Sequence, residues 1–191
     1  MVIGSHNSWS YHRARRWWLR PLAWMAKCQR VPIATQYDVF GVRCFDLRLR
    51  FKRNGEPVVA HGLVEYDIRL SRLWDDLAWL DGKGDAMVRI IHEVRCRRQH
   101  TTESRQRFER LTASLVMRYK GIRWWCGRNL ADWSRDYPFN DDDPTCAERY
   151  ASVCERWLGW WPWLWAYRNN RVARVEPCEA DVLLLDYVDI D

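Results

Sequence analysis

The polar residues most able to do chemistry lie in, at the end of, or just after short apolar segments. His6 comes after the apolar run at 2–4, and Asp46 and Arg48 lie within 42–51. His61 follows 58–60, His92 and Glu93 close 86–94, and Asp186 lies in 182–188. An unperturbed imidazole has a pKa near ~6.5, so two histidines can serve as base and acid close to neutrality. A guanidinium offers parallel donors to phosphate oxygens, and a carboxylate behind a histidine fixes its tautomer. Two histidines, an arginine and a carboxylate suit phosphoryl transfer without a covalent intermediate on a side chain.

These residues need a scaffold that brings strand ends together. Residues 42–51 alternate Cys44, Phe45, Leu47 and Leu49 with Arg43, Asp46, Arg48 and Arg50, which predicts a strand. Asn54-Gly55 predicts a hairpin that returns through Val58-Val59-Ala60 to His61-Gly62. Leu70, Leu73, Trp74, Leu77 and Leu80 have helical spacing, and 102–119 reads as an amphipathic helix capped by Thr102 or Ser104. A further helix is expected over 33–40, ending at Gly41, and another over 146–157. Strands are expected at 86–94, 122–126 and 182–188, with a loop over 127–145. Strands alternating with helices predict an α/β fold with a parallel core. In parallel α/β barrels the site is assembled at the C-terminal strand ends, where these polar residues fall.

Composition bounds the class. The 191 residues fit one domain, 1–191, and 48% apolar with 29% charged residues excludes a disordered or collagen-like chain. No signal peptide or transmembrane segment is expected. Seven scattered cysteines without a CxxC pair argue against a disulfide framework and a zinc cluster. The net charge of +6 is carried almost wholly by arginine. Charge alone would allow a nucleic-acid partner, but no nucleic-acid motif accompanies it. The 14 tryptophans suit either a core or a membrane interface.

Several blocks in order carry a family resemblance: Ile3-Gly4-Ser5-His6-Asn7-Ser8, Gln29 with Gln36, Gly41 through Arg48, Val59-Ala60-His61-Gly62, and Leu184-Leu185-Asp186-Tyr187-Val188. Together they resemble the X domain of phosphatidylinositol-specific phospholipases C, the bacterial enzymes most closely. The resemblance covers residues 2–95 and 180–189 and implies a trimmed TIM-type barrel. It implies His6 as the base for the inositol 2-hydroxyl, whose attack on phosphorus gives a cyclic phosphodiester. His61 would protonate the departing diacylglycerol oxygen, Arg48 would clamp the phosphate, Asp186 would orient His6 and Asp46 would position Arg48. Bacterial members usually carry Asp where this chain has Asn7.

Eukaryotic relatives hold calcium through an Asn and three carboxylates. Asn7, Asp46 and Glu93 match three of those places, but Arg48 stands at the fourth, so a calcium-independent site without cofactor is expected. The resemblance also implies Glu148 and Tyr150 as inositol-ring contacts; Asn7 and Glu93 are further expected substrate contacts, and Arg128, after the strand at 122–126, is expected as a ring or phosphate contact. Typical bacterial members are longer, and the missing length falls between 120 and 180. Trp17, Trp18 and Trp24 are expected to form a membrane-interface patch, whereas Trp160, Trp161, Trp163 and Trp165 are read as core filling. His12 and His100 are read as structural, and His92 as lining the barrel. The expected partner is a phospholipid surface bound peripherally by a monomer, with no obligate protein partner. A glycerophosphodiesterase on the same barrel, or a non-catalytic membrane- or phosphate-binding module, is the alternative.

Overall fold

The computed structural model describes residues 2–93, 101–128, 137–138, 146–148, 161–175 and 182–190. Its centre is a nine-stranded mixed sheet. The strands are β1 (Val2–Ser5), β2 (Cys44–Phe51), β3 (Pro57–His61), β4 (Val64–Glu65), β5 (Met87–His92), β6 (Arg123–Arg128), β7 (Tyr137–Pro138), β8 (Cys146–Glu148) and β9 (Val182–Leu185). The helices are α1 (Ile33–Asp38), α2 (Leu70–Asp81), α3 (Thr102–Arg118) and α4 (Pro162–Val175), and a 3-10 helix spans Trp17–Met25.

Six strands run parallel in the order β6-β5-β2-β1-β9-β8, with β7 antiparallel on the outer edge of β6. The first strand thus lies between the second and the last, as in a ring of strands laid down in chain order. The ring is not closed: among the described residues β7 and β8 are unpaired edges. The described residues thus show the expected α/β fold with a parallel core and a cyclic strand order, as an open sheet. Two local expectations change. Residues 146–148 form a strand instead of starting a helix, and Tyr137–Pro138 pairs with β6 inside the expected loop.

Alternation in β2 sets the layers. Phe45, Leu47 and Leu49 join the apolar core with Leu73 and Leu77 of α2 and Phe108 and Leu115 of α3, while Asp46, Arg48 and Arg50 occupy the opposite face. Gly4 of β1 is required by close approach: a Cβ there would lie 2.5 Å from Leu184 Cδ2 and 3.1 Å from Cys44 Cβ. The α3 cap is Thr101, whose hydroxyl accepts from the Ser104 amide at 3.1 Å. His92 does not line the interior. Its ring stacks on Phe108 at 5.0 Å and meets Phe51 at 5.9 Å, on the helical side of the sheet. Among the described residues no helix is long and apolar enough to cross a membrane.

Candidate active site

The turn after β1 is built by its own small polar residues. Ser8 Oγ accepts from the Asp46 amide at 2.8 Å and donates to the Ser5 carbonyl at 2.8 Å. Asn7 has φ 44, a left-handed conformation that Asn tolerates better than most residues. Gln29 Nε2 donates to the carbonyls of His6 (3.2 Å) and Leu185 (2.8 Å), and Gln36 Nε2 donates to those of Ser8 and Val31. The two glutamines therefore fix the loop that carries His6.

His6 is buried, and its Nδ1 lies 2.7 Å from Asp186 Oδ1, just beyond the end of β9. With Nδ1–H donating to that carboxylate, Nε2 is left as a proton acceptor. The neighbouring strands β1 and β9 bring together two residues 180 apart in sequence.

His61 reaches the same place by a second route. Both β1 and β3 pair with the edge of β2 that faces away from β5: β1 with Cys44 and Phe45, β3 with Leu49 to Phe51. Where β1 ends, β3 takes over its edge and delivers His61. The two imidazoles meet edge to face, with ring centroids 5.2 Å apart.

Arg48 donates from Nε to Asp46 Oδ2 at 2.8 Å, and its Nη1 lies 3.7 Å from Glu93 Oε2. Asp46 also accepts from the Asn7 amide at 3.0 Å and from Arg89 Nη1 at 3.5 Å. Burial alone would raise the Asp46 carboxyl, but Arg48, Arg89 and His6 overcome that and hold it at about 2. Glu93 Oε1 accepts from the Gly62 amide at 2.8 Å, tying the turn after His61 to the end of β5.

His61 is depressed to about 4, chiefly by desolvation and then by the Arg48 and His6 charges; Glu93 and the Ala26 carbonyl oppose the shift. It is neutral at pH 7. Its Nδ1 meets the Ala26 carbonyl at 3.0 Å and lies 3.7 Å from Cys28 Sγ. Burial pushes the Cys28 thiol well above its ordinary value, so it stays protonated.

The calcium alternative needs Asn7, Asp46 and Glu93 to turn oxygens toward one cation. Asp46 is instead engaged by two guanidiniums, and Arg48 also reaches Glu93. Asn7 Nδ2 faces Tyr66 Oη (3.2 Å) and the Ala26 carbonyl (3.4 Å). A dication would have to sit against Arg48, so this donor set does not fit calcium.

The residues named from the sequence thus divide. His6, Asn7, Asp46, Arg48, His61, Glu93 and Asp186 come together. Arg128 ends β6 and Glu148 ends β8, both at C-terminal strand ends. Tyr150, Trp160 and His100 lie outside the described residues. Trp17, Trp18 and Trp24 line the 3-10 helix and are 72%, 55% and 41% exposed. Trp161 and Trp163 are exposed too, and Trp161 packs on Trp24 at 5.1 Å, which corrects their assignment to the core.

Arg89, Tyr66 and the Ala26 carbonyl also take part in the site and are not among the residues expected from the sequence. Arg89 had a signal, a lone charge inside the apolar run Met87-Val88-Arg89-Ile90-Ile91. The carbonyl had none, since any residue supplies one.

Bacterial phosphatidylinositol-specific phospholipases C share this fold. A single-mutant form of the Staphylococcus aureus enzyme superposes with TM-score 0.62 at 14% identity, covering 97% of this chain and 84% of that one. A double mutant of the same enzyme gives 0.59, at 14% identity and equal coverage. The Listeria monocytogenes enzyme gives 0.50 at 17% identity over 78% of this chain, which spans only 60% of that enzyme. No protein-family model and no curated protein matches the chain.

Proposed function

We propose that the protein is a calcium-independent phosphodiesterase of the phosphatidylinositol-specific phospholipase C kind, cleaving a glycerophosphoinositide at a membrane surface. The observation that carries this reading is the His6–Asp186 pair at 2.7 Å, facing His61 beside the Arg48 guanidinium.

In this mechanism Arg48 holds the non-bridging phosphate oxygens, with Asp46 fixing the guanidinium plane through Nε. His6 Nε2 takes the proton of the inositol 2-hydroxyl as that oxygen attacks phosphorus. The imidazolium formed is stabilised by Asp186. The phosphorus–oxygen bond to diacylglycerol breaks, and His61 Nε2 donates a proton to the departing oxygen. The products are a cyclic inositol phosphodiester and diacylglycerol.

His61 must therefore gain a proton before turnover. The bound diester supplies the reason: its negative charge offsets Arg48, one of the causes that depress His61 in the empty site. The exposed Trp17, Trp18 and Trp24 would dock the domain on lipid, since indole suits the headgroup region.

Release of diacylglycerol from phosphatidylinositol vesicles, set against a glycerophosphodiester lacking a neighbouring hydroxyl, tests this reading. Release from the first alone supports internal attack, and release from both or only the second contradicts it.

A further inference from the structure

The polar face of β2 does not end at the phosphate clamp. Arg50 is the next residue on the face that carries Asp46 and Arg48, about 7 Å further along the strand at ~3.3 Å per residue. It is buried, donates through Nη2 to the Gly62 carbonyl, and lies 3.7 Å from Glu65 Oε1 through Nη1. Above it opens a cavity of about 520 Å³ lined by Arg15, Arg16, Arg50, Phe51, Lys52, Arg53 and Glu65. This lies within the range of small-ligand sites, roughly 300–1,000 Å³.

The charge in this cavity is unbalanced. Five cationic side chains face one carboxylate, Glu65, which already serves both Arg16 (3.7 Å) and Arg50 (3.7 Å). Among the described residues a second acid, Glu56, is paired with Lys52 at 2.7 Å and also feels Arg15, which leaves five cations against two carboxylates. Cations crowded in a concave wall create a positive potential that falls only when an anion enters. The rigid parts are in place: Arg50 is held on a central strand, and the β2–β3 hairpin carrying Lys52 and Arg53 is closed by the Lys52 amide to Glu56 carbonyl bond at 3.0 Å.

We propose that this cavity binds a phosphate monoester, distinct from the diester held by Arg48. Guanidiniums recognise such a dianion through paired, charge-assisted hydrogen bonds, and its second negative charge is what five cations favour. The phosphate comes either from the headgroup undergoing cleavage or from a separate molecule. The proposal needs the Proposed function only to say which diester lies at Arg48. The cavity's affinity for phosphate is independent of it.

The test is calorimetric titration at low ionic strength with inorganic phosphate, inositol 1-phosphate and inositol 1,4-bisphosphate. The proteins are wild type, Arg15→Ala/Arg53→Ala and Arg48→Lys. Arg15 and Arg53 are exposed, so the double variant should fold, and thermal melting checks it. We expect inorganic phosphate to bind wild type and Arg48→Lys, and to bind the double variant roughly tenfold more weakly. Preference for the bisphosphate over the monophosphate, lost in the double variant, would assign the phosphate to the headgroup. Equal affinities would assign it to a separate molecule. Failure of inorganic phosphate to bind wild type, or equal binding in the folded double variant, overturns the proposal. Phosphate binding in a protein that cleaves no phosphoinositide would retain this site while removing the catalytic reading.

Discussion

His61 Nδ1 lies 3.0 Å from the carbonyl oxygen of Ala26, so a main-chain dipole, not a carboxylate, orients this ring. The same oxygen accepts from Tyr66 Oη at 2.6 Å. A carbonyl fixes the tautomer but supplies no full charge to stabilise an imidazolium. Burial, then the Arg48 and His6 charges, therefore prevail over Glu93 and this carbonyl and hold His61 at about 4.

A phosphate diester analogue should therefore raise the His61 pKa, measured by nuclear magnetic resonance titration of ring-labelled histidine. A carboxylate at position 7, where Asn7 Oδ1 is buried without a hydrogen-bond partner, should raise it further, by about one unit in Asn7→Asp. The sign for stability follows. The unfolded chain binds the His61 proton near ~6.5 and the folded one near about 4, so stability is full above the former and falls as pH drops between them, by at most ~1.4 kcal/mol per pH unit. An unchanged pKa with ligand bound would contradict the role given to Arg48.

Asp186→Asn keeps the volume behind His6 but can leave Nε2 protonated and no longer stabilises an imidazolium. Turnover should fall by roughly 10³–10⁴-fold with little change in KM or melting temperature. A loss under tenfold would mean that Asp186 does not support the base.

Arg48 and Arg89 both touch Asp46 but should behave differently. Arg48→Lys keeps a charge and loses the paired donors, so it should reduce kcat by at least ~10²-fold in a folded protein. Arg89→Met removes a buried partner of Asp46 and should cost about 3 kcal/mol in urea unfolding. Equal effects of both variants on stability and on kcat would erase the distinction between clamp and support.

Trp17→Ala/Trp18→Ala removes the two most exposed indoles of the 3-10 helix. Activity on phosphatidylinositol vesicles should fall about tenfold, while a short-chain soluble substrate is cleaved as before. Equal loss on both substrates would place these residues in folding or chemistry instead.

The parts of this site that were legible in the sequence are those where local pattern and chemistry coincide. Alternation placed Asp46 and Arg48 on one face of β2, and Asn54-Gly55 marked the hairpin that returns His61. His6 and Asp186 could be proposed as partners only through the family resemblance, because 180 residues separate them and only the β1–β9 pairing unites them. The residues that tune the site were harder to read, for other reasons. Arg89 read as part of a buried strand, and Ala26 acts through a main-chain atom that carries no residue-specific signal. At 146–148, where a helix over 146–157 is expected, the chain pairs with β9 instead, and the exposed Trp161 finds its neighbour in Trp24 on the 3-10 helix.

Phosphorus nuclear magnetic resonance of the protein with phosphatidylinositol in detergent micelles, first with EDTA and then with calcium, tests the central claim most directly. The account predicts a cyclic inositol phosphodiester signal in EDTA that calcium does not increase, and its absence in His6→Ala and His61→Ala. A signal that appears only with calcium, or none under either condition, would contradict it.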